Sequence, residues 1–150
     1  MCVSPKTIEL EYYLNFSSAL LTFIAGMLSI YFYGVYSKIL TYDQKIIPKF
    51  FQLSTGECTS IIDSSYGRLA GAPNALVGSI YLVIHAVLLI VAGYKIINQI
   101  IPFCLSVASL IVGVYLIYGL IKLKIKCRIC ISVHVINFTV FLLQIPLIVI

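Results

Sequence analysis

Four long apolar stretches set the terms for this chain: Leu14–Tyr36, Asn74–Tyr94, Gln99–Leu120 and Ile129–Ile150. Each can cross the hydrocarbon core of a bilayer as a helix, which takes about 20 residues. Composition agrees: the 150 residues are 61% hydrophobic and 10% charged, against about 45–50% and about 25% in a soluble domain. A soluble core of this size would not hide so much apolar side chain, so lipid is the expected solvent. Burial inside a larger soluble complex is the alternative, and the run lengths argue against it. The stretch MCVSPKTIELEYY has no basic region ahead of an apolar one, so no secretory signal is expected there. No internal repeat stands out.

The connectors predict the topology. Tyr94 to Asn98 is a tight turn between antiparallel neighbours, and KLKIKCR is also short. Ser37–Pro73 is the only substantial loop, with Asp43, Lys45, Lys49, Glu57, Asp63 and the glycines Gly56, Gly67 and Gly71. A loop longer than about 15 residues in a compact chain usually carries function. The expectation is one integral membrane domain over residues 1–150, an all-α, up-down-up-down four-helix bundle. The long loop and the KLKIK turn then share one membrane side, and both termini share the other.

That topology gathers the reactive residues. Cys58 lies in the long loop, and Cys127 and Cys130 open the fourth span on the same side. Cys2 and Cys104 belong a membrane thickness away, about 30 Å, and read as a terminal thiol and a small packed hydrophobe. On a helix Cys127, Cys130, His134 and Asn137 fall at about 0°, 300°, 340° and 280°, one face at ~100° per residue. Polar groups on a lipid-embedded helix turn inward and tend to be functional. Cys127 is at a helix start, where free backbone N–H groups and the macrodipole favour an anion, with Lys122, Lys124, Lys126 and Arg128 nearby. All of this favours the thiolate, the attacking species in disulfide exchange. A structural zinc or other metal site built from Cys58, Cys127, Cys130 and His134, in a non-enzymatic binding or assembly protein, is the rival reading. Against it, His134 sits about 10 Å down the helix from Cys127 at ~1.5 Å per residue, and only one short cysteine knuckle is present.

The second span answers the fourth. Asn74, Gly78, Tyr81 and His85 fall at about 0°, 40°, 340° and 20°, again one face. Asn74 follows Pro73 at the helix start. Asn74 and His134 are placed to hydrogen-bond a carbonyl oxygen from opposite walls. Gly78 leaves room for a flat ring or for a neighbouring helix. His85 lies deeper and reads equally as a donor to a neighbouring helix.

The stretches CTSIIDSSYGRLAGAPNALVGSIY and CRICISVHVIN resemble the vitamin K epoxide reductase family, in its prokaryotic disulfide-forming type. Three features carry the resemblance: a loop Cys followed six residues later by Ser, the Asn-x-x-x-Gly-x-x-Tyr opening of the second span, and a CxxC with His four residues after its second Cys. The resemblance implies a four-helix bundle around a quinone, and a CxxC that oxidises a soluble thioredoxin-like dithiol partner and passes two electrons to the quinone. It implies further that Cys130 faces the quinone, that Cys127 is the exchange thiol, and that Asn74 and His134 bind the quinone oxygens, with Gly78 and Tyr81 on the same wall. Ser64 would match the supporting loop Ser, and Cys58 the second cysteine of a loop pair. The first of that pair is missing, since residues 50–57 read FFQLSTGE. Either a partner delivers electrons directly to Cys127, or Cys58 and Cys127 form a transient disulfide.

Orientation is the last expectation. Of the ten basic residues, eight lie on the thiol side: Lys38, Lys45, Lys49, Arg68, Lys122, Lys124, Lys126 and Arg128. Lys6 and Lys95 alone lie on the other. Short loops rich in Lys and Arg stay in the cytoplasm, so the expected topology is inverted, with the thiols facing the cytoplasm of a multi-pass protein of the cell membrane. Intracellular disulfides are known in hyperthermophiles.

Overall fold

The computed structural model describes residues 4–39, 64–69 and 71–149. It contains four helices, α1 (Pro5–Tyr36), α2 (Asn74–Gly93), α3 (Ile100–Lys122) and α4 (Arg128–Val149), each long and apolar enough to cross a membrane. Between α1 and α2, Ser65–Gly67 forms a single 3₁₀ turn, followed by a two-residue antiparallel ladder, β1 (Arg68–Leu69) against β2 (Ala72–Pro73). Gly71 turns that ladder at a φ of 84°, a left-handed value that glycine adopts without steric cost. This ladder is the one departure from an all-α chain among the described residues.

α1 begins well ahead of the apolar stretch that announces it. Ser4 holds an extended backbone, its carbonyl takes the Thr7 N–H at 2.9 Å, and Pro5 follows at the first helical position, where its fixed φ is already helical. Helix formation needs no apolar residues once started, so Lys6, Glu9 and Glu11 join the helix. At ~1.5 Å per residue its 32 residues outrun a hydrocarbon core of about 30 Å.

Three of the four helices end in the same way. The residues after α1, α2 and α3 read SKI, YKI and LKI, and in each case the Lys takes a left-handed conformation: Lys38 at φ 62°, Lys95 at 59° and Lys124 at 54°. The Lys N–H bonds the carbonyl three residues back, and the following Ile N–H bonds the carbonyl five residues back: Val35 and Gly34, Ala92 and Val91, Ile121 and Leu120. This is the Schellman closure. Lysine replaces the usual glycine, a basic residue being favoured at the negative end of a helix dipole; Lys95 also pairs with Glu11, Nζ to Oε2 at 2.7 Å.

Packing is uneven around the bundle. α1 presents Asn15, Ser18, Ala19, Thr22, Ala25, Gly26 and Ser29 on its buried face. These residues recur three and four apart and are mostly small, so α2 can approach closely. A Cβ on Gly26 would stand 3.5 Å from Leu82 Cβ, and one on Gly93 would stand 3.2 Å from Asn15 Cβ. Those two contacts also fix α1 and α2 as antiparallel. α4 packs on α1 and α3, whereas α2 and α3 scarcely touch. The larger buried cluster gathers Leu28, Tyr31 and Phe32 of α1, Leu82, Leu120, Cys127, Ile129 and Val133 at one end of the bundle. A smaller one, Ala19, Leu89 and Val140, lies further along. Outward, Phe23, Met27, Ile84, Val87, Ile111, Val114, Phe138 and Leu142 are all exposed, a surface suited to lipid and not to water.

A non-glycine residue in the left-handed region costs roughly 1–2 kcal/mol. Replacing Lys124 by Gly is therefore expected to raise stability by about 0.5–1 kcal/mol, part of the relief being offset by glycine's greater freedom when unfolded. Lys124→Val is expected to lower stability, because β-branched residues tolerate that region least. Thermal unfolding in detergent, read by circular dichroism, gives both signs.

Candidate functional site

α4 opens on the dithiol. Cys127 stands just before Arg128, at the capping position. Its carbonyl accepts the Ile131 N–H at 3.1 Å, and its sulfur accepts the Cys130 N–H at 3.4 Å. A cysteine sulfur thus fills the place usually given to a Ser or Asp oxygen. That geometry folds the side chain back over the first turn, and Cys127 is 0% exposed. Its basic neighbours Lys126 and Arg128 are exposed, but its sulfur is in the core. Cys127 is disulfide-bonded. Cys130, one turn deeper, is free and half-buried.

Where α2 and α3 stand apart, a cavity of about 240 Å³ opens, walled by all four helices and Gly67. Cys130, His134 and Asn137 line it from α4, Asn74, Gly78 and Tyr81 from α2, Ser109 and Val112 from α3, and Ser29 and Phe32 from α1. The walls are otherwise apolar. Asn74 and His134 therefore do share one cavity.

Each polar group has its own restraint. Asn74 donates through Nδ2 to the Tyr66 carbonyl at 2.7 Å. Tyr81 presents its ring to the cavity, but its hydroxyl donates to the Leu105 carbonyl at 2.6 Å, so the phenol oxygen serves the α2–α3 packing. The His134 ring rests against α3 at Gly113, where an added Cβ would stand 2.9 Å from Nδ1. Gly78 has open space: no atom lies within 4 Å of an added Cβ, so this glycine keeps the cavity clear and does not admit a helix.

Other residues fall elsewhere. Ser64 precedes the 3₁₀ turn and gives its carbonyl to the Gly67 N–H at 3.2 Å, and it is not among the cavity-lining residues. Cys58 and Cys2 lie outside the described residues. His85 faces away from the cavity and donates to the Pro102 carbonyl at 3.1 Å, the structural role open to it from sequence. Cys104 is exposed and not packed in a core, because α3 turns most of its surface outward. Among the described residues no three of His, Cys, Asp and Glu gather in a metal-binding group; the rival metal set includes Cys58, which is not described. Sequence reasoning did not single out Ser29, Ser109, Gly113 or Tyr66. The α3 residues carried a signal, since Ser106, Ser109 and Gly113 recur at helical spacing in an apolar span.

A sequence model of the vitamin K epoxide reductase family matches residues 17–145. No curated protein and no solved structure matches the chain.

Gly78 on the cavity wall and Gly113 against the His134 ring are expected to answer substitution with opposite signs. Gly78→Ala meets nothing and should gain about 0.5–1 kcal/mol from helix propensity. Gly113→Ala must displace the His134 ring, whose Nδ1 is buried, and should be destabilising by about 1–3 kcal/mol as overpacked cores are. Paired thermal melts of the two variants test the contrast.

Proposed function

Since the chain belongs to the vitamin K epoxide reductase family, whose members are membrane thiol–disulfide oxidoreductases, we propose that it oxidises a soluble thioredoxin-like dithiol protein and delivers the electrons to a membrane quinone. The observation that carries this reading is the free thiol of Cys130 in the wall of an apolar cavity that also holds Asn74 and His134. The cavity suits a flat, largely apolar ring. Gly78 keeps a clear face, and the few polar groups stand on different helices.

The exchange is written as two balanced steps. A partner thiolate attacks Cys127 in a Cys127–Cys130 disulfide, a mixed disulfide forms and the Cys130 thiolate leaves. The partner's second thiol then displaces Cys127, so the partner leaves as a disulfide and the CxxC is reduced to a dithiol. Re-forming the Cys127–Cys130 bond releases two electrons and two protons, which a bound quinone takes up to become a quinol. Cys127 is suited to exchange because its sulfur accepts the Cys130 N–H, a bond that strengthens as the sulfur becomes negative. Asn74 uses one N–H on the Tyr66 carbonyl, which leaves its second for a quinone oxygen. His134 would hold the other oxygen. Ser64, at the start of the turn that carries Tyr66, would support this wall. Cys58 would be the transient disulfide partner of Cys127 on the second of the two routes considered from sequence.

Two outcomes test the chemistry. Cys130→Ser, which cannot resolve the exchange, is expected to accumulate a mixed disulfide between Cys127 and the partner, visible on non-reducing gels. An adduct that forms only with Cys127→Ser would reverse the two roles. Asn74→Ala and His134→Ala should each weaken quinone use by about two- to tenfold, the equivalent of roughly 0.5–1.5 kcal/mol per hydrogen bond, with thiol exchange intact. Unchanged quinone kinetics in both would remove the quinone from this cavity.

We also propose that the thiol side faces the cytoplasm, as the charge bias favours. Reporter fusions at the C-terminus are expected to read outside the cytoplasm, and a cytoplasmic signal would restore the outward-facing arrangement.

A further inference from the structure

We propose that Tyr66 is a positioning residue: its ring, seated on Gly119 of α3, latches the Ser64–Gly67 turn against the cavity and thereby sets the Asn74 amide. The latch stands on geometry alone; its effect on catalysis rests on the quinone reading above.

The seat is specific. A Cβ on Gly119 would lie 2.6 Å from Tyr66 Cγ, 2.7 Å from its Cβ and 2.8 Å from its Cδ1. These atoms are the root of the ring, close to the backbone, so a side chain at 119 cannot be accommodated by swinging a distant tip aside. Tyr115 and Tyr118 frame the ring at centroid distances of 5.3 and 6.2 Å, and Lys122 Nζ stands 6.0 Å from it. Residues 115, 118, 119 and 122 share one helix face by spacing. Tyr115 and Tyr118 are otherwise exposed, so among the described residues it is Tyr66 that packs on this face of α3.

The consequence runs inward. The Tyr66 carbonyl accepts from Asn74 Nδ2 at 2.7 Å. The next residue, Gly67, is buried and lines the cavity beside Cys130 and Asn74. Displacing the ring therefore moves both the acceptor that fixes Asn74 and a residue that closes the cavity. The seating contacts use the ring and not the phenol oxygen. A tyrosine that merely fills an interfacial groove would affect stability alone; a latch must also govern access to Cys130.

The test uses the full chain in lipid nanodiscs, with Gly119→Ala, Tyr66→Ala and Tyr66→Phe. Alkylation of Cys130 by N-ethylmaleimide is followed by peptide mass spectrometry, which separates it from the exposed Cys104. The expected result is roughly two- to tenfold faster Cys130 labelling in Gly119→Ala and Tyr66→Ala, the scale of losing one hydrogen bond, with Tyr66→Phe like the wild type. In turnover with a soluble quinone, KM should rise in the first two variants while single-turnover thiol exchange is unchanged. Unchanged labelling in Gly119→Ala and Tyr66→Ala would overturn the latch. So would Tyr66→Phe behaving like Tyr66→Ala, or effects that only follow a fall in the thermal midpoint. If Gly119→Ala does not fold, Tyr66→Ala, which only removes atoms, decides. A wild-type chain that reduces no quinone would defeat the functional reading and leave the labelling result to judge the latch by itself.

Discussion

Helices immersed in lipid gain little from burying leucine against leucine, so the bundle depends on how closely its backbones approach. α1 settles the matter for one side of the structure. Its stripe of Ser, Thr, Ala and Gly lets α2 lie against it from Gly26 to Asn15. α3 makes no comparable approach to α2, and the gap left between them is the cavity. The glycines elsewhere follow the same logic with different occupants. Gly113 and Gly119 admit side chains, the His134 and Tyr66 rings, where Gly26 admits a helix, and Gly78 admits nothing and keeps the cavity open. One residue type therefore shapes both the packed and the unpacked seams of the bundle.

The two sulfurs of the CxxC illustrate how helix geometry alone separates chemistry. Residues three apart at a helix start differ by one turn in depth and by their relation to the capping N–H groups. Cys127 folds back to cap and is shut in the core; Cys130 donates its N–H to that sulfur and turns its own thiol to the cavity. A bond between them would join a thiol held among packed core residues to one that faces an apolar space. The burial of Cys127 also means that a macromolecular partner must reach it through movement of whatever covers it, or through a second sulfur that visits it.

The sequence made the spans and the shared face of Cys130, His134 and Asn137 legible because both are periodic. Apolar runs of spanning length leave few alternatives in lipid, and ~100° per residue suffices to put side chains on one wall. The same arithmetic brought Asn74, Gly78 and Tyr81 to that cavity. It put the Tyr81 ring on the correct face and gave no sign that its hydroxyl would be spent on Leu105. It placed Cys127 at the helix start among basic residues, and gave no sign that the capping geometry would fold its sulfur into the core. Tyr66 was invisible for a different reason. Its seat is assembled from a turn and a helix about fifty residues apart in sequence, and no local pattern encodes such a meeting. The apolar run from Leu14 did not announce where α1 begins, because hydropathy reports where lipid ends, not where helix ends.

The three SKI, YKI and LKI closures bear on orientation as well as on folding. Lys38, Lys95 and Lys124 each stand at the negative end of a helix, which favours a basic residue, and Lys95 also pairs with Glu11. A count of charges meant to read membrane orientation should therefore be repeated without them. Removing Lys38 and Lys124 leaves six basic residues on the thiol side, and removing Lys95 leaves Lys6 alone on the other. The bias survives the correction and sharpens. Lys122 is partly engaged with the Tyr66 and Tyr118 rings, Arg68 donates to the Gly71 carbonyl at 3.2 Å and to the Tyr36 hydroxyl at 3.4 Å, and Lys126 and Arg128 flank the capping cysteine. None of these uses requires one membrane side over the other, so the six basic residues left on the thiol side, Lys45, Lys49, Arg68, Lys122, Lys126 and Arg128, carry the argument from charge bias together.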